Sequence, residues 1–199
     1  GLVGDNLGSI SNAYATGSVT GSDHVGGLVG DKLLVGTISN SFWDTVTTGK
    51  ATSAGGTGKT TAEMMTKTTF TGWDFTNTWW MPDAAQNTRP FLRMEWSTNI
   101  TNAHQLQLMA MNLGASYTLC IDLDLATELA NPSSMWGTQS ETVPTTIDTG
   151  FYPVGNSSAY FTGQFDGLNH TISNLYINRP AETYAGLFAP GFQAFGSAG

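Results

Sequence analysis

The sequence is short of cysteine, of charge and of long apolar runs, and each shortage removes a class of answer. One cysteine, Cys120, stands among 199 residues, so no internal disulfide framework exists. Charged residues make up 11% of the chain, against about a quarter in an ordinary globular protein. Seven Lys and Arg face fifteen Asp and Glu for a net charge of −8. That is the wrong sign for a nucleic acid or an anionic membrane surface, while neutral partners such as glycans stay compatible. No apolar run approaches the ~20 residues of a membrane span, so no membrane insertion is expected in this segment. No signal peptide is present, but the chain opens inside a repeated phrase. We read it as a fragment of a longer protein, so the missing signal says nothing of export.

What is present is glycine, 24 residues of it, with polarity supplied by Thr, Ser and Asn. That mixture suits a β protein with many tight turns and a hydroxyl-rich surface. It also repeats. Gly1-Leu2-Val3-Gly4-Asp5 recurs 26 residues later as Gly27-Leu28-Val29-Gly30-Asp31. Ile10-Ser11-Asn12-Ala13-Tyr14 recurs 28 residues later as Ile38-Ser39-Asn40-Ser41-Phe42, the difference being an insertion around Leu33-Leu34. The second phrase returns as Ile172-Ser173-Asn174-Leu175-Tyr176, followed by a variant of the first at Gly186-Leu187-Phe188. Periods of 20 to 30 residues indicate stacked units.

The second phrase has a physical reading. Ile172 and Leu175 lie three apart, which breaks strict strand alternation, so Ser173-Asn174 is a corner. Asn tolerates left-handed backbone angles better than most residues. If successive units stack in register, Asn12 and Asn40 form an Asn ladder at one corner, and Asn174 holds the same corner later. Inward Ile and Leu at ~1.5–3 kcal/mol each would supply much of the stability.

The stretch from Gly1 to Gly30 resembles the GLUG motif of bacterial secreted adhesins of the filamentous-haemagglutinin-like kind. Phe161–Gly167, running into His170–Leu175, is similar to the phrase that opens such regions. Ser41-Phe42-Trp43-Asp44 and Gly72-Trp73-Asp74-Phe75 are similar to the segment that closes them. The resemblance implies export and an all-β fold, a parallel β-helix or β-solenoid with short capping helices. It implies no shared catalytic set. Residues 1–96 then read as the C-terminal part of one such module with an aromatic closing segment. Residues 97–199 read as the N-terminal part of the next, with the boundary at about 93–99.

Local signals fill in the rest. Thr60 and Glu63 have capping-box spacing, which predicts a short helix over 60–66. Trp73, Phe75, Trp79 and Trp80 read as a cap over an open end of the first module; the alternative is an aromatic sugar platform, which makes Trp73, Trp79 and Trp80 the candidate binding residues. Asn102 to about Asn112 reads as a helix with Asn102 as N-cap. Tyr117 to Leu125 alternates as one strand, with Tyr117, Leu119, Ile121, Leu123 and Leu125 on one face. The structural positions of the repeat are Gly4, Asn12, Gly30, Asn40, Asn174 and Gly186.

No catalytic, metal or cofactor site is expected. Gly55 to Thr60 imitates a P-loop, but Ser53 stands where the first glycine belongs and no apolar strand leads in. His24, His104 and His170 show no metal spacing, and no serine lies in a nucleophile elbow. Asp122 and Asp124 share one strand face and read as a solvated pair, with Ca²⁺ as the alternative. Asp44, Asp74, Asp122, Asp124, Asp148 and Asp166 give no repeated close pair of the kind glycan hydrolysis needs. Cys120 reads as a half-buried strand residue rather than an interchain thiol, and the sequons at Asn99, Asn156 and Asn169 as chance. The expected function is a structural or adhesive repeat segment of a large secreted cell-surface protein, binding surface glycans or proteins. The first alternative is a subunit or repeat of a self-assembling extracellular fibre, with further copies of itself as partner. A polysaccharide lyase or hydrolase is the second.

Overall fold

Where a phrase recurs, its two copies pair. The computed structural model describes residues 1–33, 35–83, 88–137, 149–180 and 182–189. Its first part carries β1 (Val3–Asn6), β2 (Ser9–Ser11), β3 (Tyr14–Ala15), β4 (Val29–Lys32), β5 (Thr37–Ser39), β6 (Phe42–Asp44) and β7 (Thr57–Lys59). β1 lies parallel to β4 with Val3 opposite Val29, β2 to β5 with Ile10 opposite Ile38, and β3 to β6 with Tyr14 opposite Phe42. The spacing therefore changes between the first and second pair, and a turn closed by Gly36 N–H donating to the Leu33 carbonyl at 2.9 Å absorbs the change. Leu34 lies outside the described residues.

The corner residues take left-handed angles: φ is 51° at Asn12, 43° at Asn40 and 54° at Asn174. The ladder is different from the one expected. Among the described residues, the side chains of Asn12 and Asn40 do not bond each other. The Asn40 carbonyl instead accepts from Trp73 Nε1 at 2.7 Å, and Asn174 Nδ2 donates to Asp124 Oδ1 at 2.7 Å. Gly30 is required by close approach: a Cβ there would sit 1.8 Å from the His24 carbonyl oxygen, whereas a Cβ at Gly4 would meet nothing.

Beyond β7 the chain leaves this pattern. α1 (Thr61–Met64) has Thr60 as N-cap with the full reciprocal capping box to Glu63, which satisfies two of the helix's free N–H groups. β8 (Trp79–Trp80) and β9 (Phe91–Leu92) form an antiparallel pair. Then come β10 (Asn99–Ile100), α2 (Ala103–Leu108) capped by Asn102, and β11 (Ser116–Leu119). They are followed by β12 (Leu123–Asp124), α3 (Ala126–Leu129), β13 (Gln164–Asp166) and β14 (Ile172–Ser173). The expected single strand from Tyr117 to Leu125 is broken at Cys120–Asp122, and Ile121 is turned out to 43% exposure rather than inward. β11 lies between β10 and β13, and β12 pairs β14 with Leu123 opposite Ile172.

This architecture corrects the all-β parallel β-helix or β-solenoid expectation. Among the described residues the strands are two to four residues long and fall into six separate sheets of two or three strands. One of these sheets is antiparallel, and three α-helices among the described residues interrupt the strand succession. A coil stack needs every neighbouring unit to offer a strand at the same height. The repeated phrases do so in the first part, Val3 on Val29 and Ile10 on Ile38, but the later copy at Ile172 pairs with Leu123 of β12, and the segment in between follows helix caps and aromatic packing. The fold is mixed, with small sheets and short helices around three apolar clusters among the described residues. Ala15, Leu28, Val29 and Trp43 form one; Phe42, Met64, Phe70, Trp73 and Met81 a second. The largest gathers Phe91, Ile100, Leu106, Tyr117, Trp136 and Phe151 with their neighbours.

Candidate functional site

The three tryptophans singled out in the sequence do not share one surface. Trp73 is buried, and its indole N–H is used internally on the Asn40 carbonyl. Trp79 stacks against it with ring centroids 4.2 Å apart, in a nest that includes Tyr14, Phe42, Phe70 and Phe75. Trp80 points the other way, because consecutive strand residues face opposite sides. It packs on Phe91 at 5.9 Å and belongs to the large cluster. The aromatic segment is thus a joint between two cores. Offset or tilted ring pairs of this kind contribute about 0.5–1.5 kcal/mol per pair beyond their burial.

Trp80 also reaches a groove. A cavity of about 410 Å³ is lined by Trp80, Asp83, Leu113, Tyr152 and Asn156, among others. A second, of about 270 Å³, is lined by Tyr152, Asn156, Glu182 and Tyr184. The two share Tyr152 and Asn156 and so adjoin. Tyr152 is held by its backbone: Gln107 of α2, wholly buried, donates to its carbonyl at 2.8 Å and accepts from its N–H at 3.0 Å. The Arg179 guanidinium lies 4.7 Å over the phenol ring. Burial, then the nearby Glu182 charge, pushes the phenol pKa up and keeps it protonated. Sequence reasoning did not find this groove. Gln107, Tyr152, Arg179 and Glu182 carry no mutual spacing signal; only the fold gathers them.

The other candidates resolve into structural roles. Asp44 is buried in an ion pair with Arg89. Asp74 Oδ1 accepts from the N–H groups of Thr76 and Asn77, and Asp166 Oδ1 from that of Leu168. Asp122 accepts from the Thr171 N–H at 2.8 Å and faces His170 Nδ1 at 3.3 Å. Asp124 accepts from the Ala126 N–H and from Asn174. Asp148 lies outside the described residues. Among the described residues, no group of three or more His, Cys, Asp or Glu gathers as a metal site. Lys59, the would-be phosphate lysine, pairs with Glu63 at 3.2 Å. Gly186 lies at the edge of the described chain with room for a Cβ, at 3.4 Å from the Phe188 carbonyl. Cys120 is half-buried.

No family model matches the chain, and no solved structure matches it. One similar curated protein, of Evansella cellulosilytica, bears the name "Putative Gly-rich membrane protein". It is 41% identical over 87 residues, which cover 40% of this chain. The chain spans 10% of that protein's length. Among the described residues, no helix is long and apolar enough to cross a membrane.

Proposed function

We propose that this chain is a non-catalytic binding and scaffolding segment of a bacterial cell-surface protein, contacting extracellular glycans or proteins. The observation that carries the reading is the in-register pairing of the repeated phrases. It turns Ile10 and Ile38 toward the core and leaves Ser9, Ser11, Thr37 and Ser39 exposed as a hydroxyl row. Within that row Thr37 Oγ1 donates to Ser9 Oγ at 2.9 Å. An uncharged hydroxyl face on an acidic protein suits neutral polar partners and repels polyanions. The likeness to GLUG-type adhesin repeats and the membrane-protein name of the relative are in keeping with a place on the cell envelope. The test is retention of the labelled chain on intact and on glycan-stripped cell surfaces. Saturable retention is expected; none above a labelled albumin control overturns the reading.

A second reading, assembly into an extracellular fibre, is favoured by one observation. The repeated phrases pair in parallel and in register, Val3 on Val29, Ile10 on Ile38 and Tyr14 on Phe42, a contact that further copies could continue along the same axis. Electron microscopy over a concentration series decides it: regular filaments support assembly, and isolated particles at every concentration overturn it.

A further inference from the structure

We propose that the groove from Trp80 past Tyr152 to Tyr184 binds a linear, neutral oligosaccharide. The inference deepens the surface-binding reading above and rests on it. Together the adjoining cavities of about 410 and 270 Å³ reach the size range of small-ligand sites, ~300–1,000 Å³. Their lining combines aromatic rings with hydrogen-bonding groups: Trp80 and Asp83 in the first, Tyr152 and Asn156 in both, Glu182 and Tyr184 in the second. A pyranose needs both kinds of group. Its C–H face is apolar and packs on an aromatic plane, while its equatorial hydroxyls need donors and acceptors at the edges.

Two details separate the groove from an incidental dent. Four of the six tryptophans use their indole N–H internally. Trp43 donates to the Lys50 carbonyl, Trp73 to Asn40, Trp96 to Tyr117 and Trp136 to Gln107. Among the described residues the N–H groups of Trp79 and Trp80 have no acceptor, and of these two Trp80 lines the groove. Tyr152 is also fixed in advance by the double Gln107 clamp on its backbone and by Arg179 over its ring. A site built in advance loses little entropy on binding. Asp83 pairs with Lys67 Nζ at 2.6 Å and Glu182 with Arg179 Nη1 at 3.2 Å, so the groove offers compensated charge whose remaining carboxylate lone pairs accept hydroxyl hydrogens. The chain's net charge of −8 opposes an anionic sugar.

The test is calorimetric titration and intrinsic fluorescence of the chain with cellohexaose, mannohexaose and the pentamer of N-acetylglucosamine, with trigalacturonate as the anionic comparator. At least one neutral probe is expected to bind saturably with Kd below ~1 mM, and trigalacturonate at least about tenfold more weakly. Trp80→Ala is expected to weaken binding about tenfold or more, and Trp79→Ala, on the opposite side of the strand, less than about twofold. Trp80 also packs on Phe91, so Tyr184→Ala, at a side chain 53% exposed, is the variant that leaves the core intact; it is expected to weaken binding several-fold. Three outcomes overturn the inference: no neutral probe binding below ~10 mM, binding lost with Trp79 but kept without Trp80 and Tyr184, or trigalacturonate binding as tightly as the neutral probes. If the groove fails while the chain is still retained on cell surfaces, only this inference falls. If retention fails as well, the surface reading falls with it.

Discussion

Arg89 Nη2 donates to Asp44 Oδ2 at 2.7 Å, with both side chains wholly shielded from solvent. The pair ties the repeat-bearing first part of the chain to the segment that enters β9. Asp44 closes β6, at the end of the second phrase copy, and its other oxygen accepts from the Val46 and Thr47 N–H groups and from Thr61 Oγ1. Arg89 precedes β9; its backbone N–H donates to the Met135 carbonyl at 2.7 Å, and its Nη1 to the Ser134 carbonyl. Beside it Thr16 and Ser133 exchange reciprocal hydrogen bonds at 2.8 and 3.0 Å. Tyr14 donates to the Pro90 carbonyl at 3.0 Å.

Removing either charge leaves the other buried and unpaired. Arg89→Met is expected to cost about 3–5 kcal/mol, the range for breaking a buried pair. Asp44→Ala should cost at least as much, because it also strands two backbone N–H groups. Adding Asp44→Asn to Arg89→Met should recover part of the loss, since Asn keeps an acceptor for those groups without a lone charge. Denaturant unfolding of these variants and of Asp44→Asn alone checks this, and a double-variant loss equal to the sum of the Arg89→Met and Asp44→Asn losses would show that the pair is not coupled.

Glycine substitutions should sort by what a Cβ meets. At Gly27 it would lie 2.0 Å from Trp43 Cδ1 and at Gly30 1.8 Å from the His24 carbonyl oxygen; at Gly4 it would be free. Gly27→Ala and Gly30→Ala are expected to cost about 1–3 kcal/mol through forced shifts. Gly4→Ala should stay within about 0.5 kcal/mol. Thermal melts of the three proteins separate a required glycine from a merely repeated one, although the same phrase contains Gly4 and Gly30.

Local chemistry was legible in the sequence; assembly was legible only where the chain repeats. Thr60 and Glu63 announce α1, and Asn102 announces α2, because a cap is a contact between near neighbours. The offset between Gly1 and Gly27, and the different one between Ile10 and Ile38, already contains the strand register. The β-solenoid expectation extended that register across a segment with no repeat in it. There the aromatic residues decide, and Trp79 and Trp80 face opposite cores. The strand from Tyr117 to Leu125 misled in the same way: its alternation is clean, but Asp122 turns aside to accept from Thr171, 49 residues on, and Ile121 turns out with it. The groove was invisible because Gln107, Tyr152 and Glu182 meet only through tertiary packing.

The corner asparagines are expected to show backbone rather than side-chain demand. Asn12→Ala and Asn40→Ala should each lose about 1 kcal/mol, the cost of a left-handed angle for an ordinary residue. Asn12→Gly and Asn40→Gly should lose less, because glycine takes positive φ freely. Asn174 differs, since its side chain holds Asp124; Asn174→Gly should cost more than Asn40→Gly. Urea unfolding of the paired variants reads the difference, and equal losses for Ala and Gly at Asn40 would refute the backbone account.

Stability should fall at both ends of the pH scale, for different reasons. Asp122 and Asp124 are held below their ordinary value of 3.8, Asp122 chiefly by the Thr171 N–H and Asp124 chiefly by the Asn174 amide. A depressed carboxylate contributes stability that is present above its ordinary value and is lost as pH falls through it toward the folded-state value. Tyr14 runs the opposite way. Burial, ahead of the opposing Arg89 charge, raises its phenol above the ordinary 10.0. Its contribution is intact below that value and declines as pH climbs past it, because the unfolded chain ionises first. Melting temperature should therefore be level near neutrality, drop below pH ~4 and drop again above pH ~10. Asp122→Asn with Asp124→Asn should make the acid limb shallower and leave the alkaline one, the remainder coming from Glu63 and Asp74, which hydrogen bonds also hold below their ordinary values. Tyr14→Phe should make the alkaline limb shallower, leaving the share of Tyr117 and Tyr152, whose phenols burial also raises, at a constant loss of about 1 kcal/mol for the bond to the Pro90 carbonyl. An alkaline limb unchanged in Tyr14→Phe would mean that another group controls it.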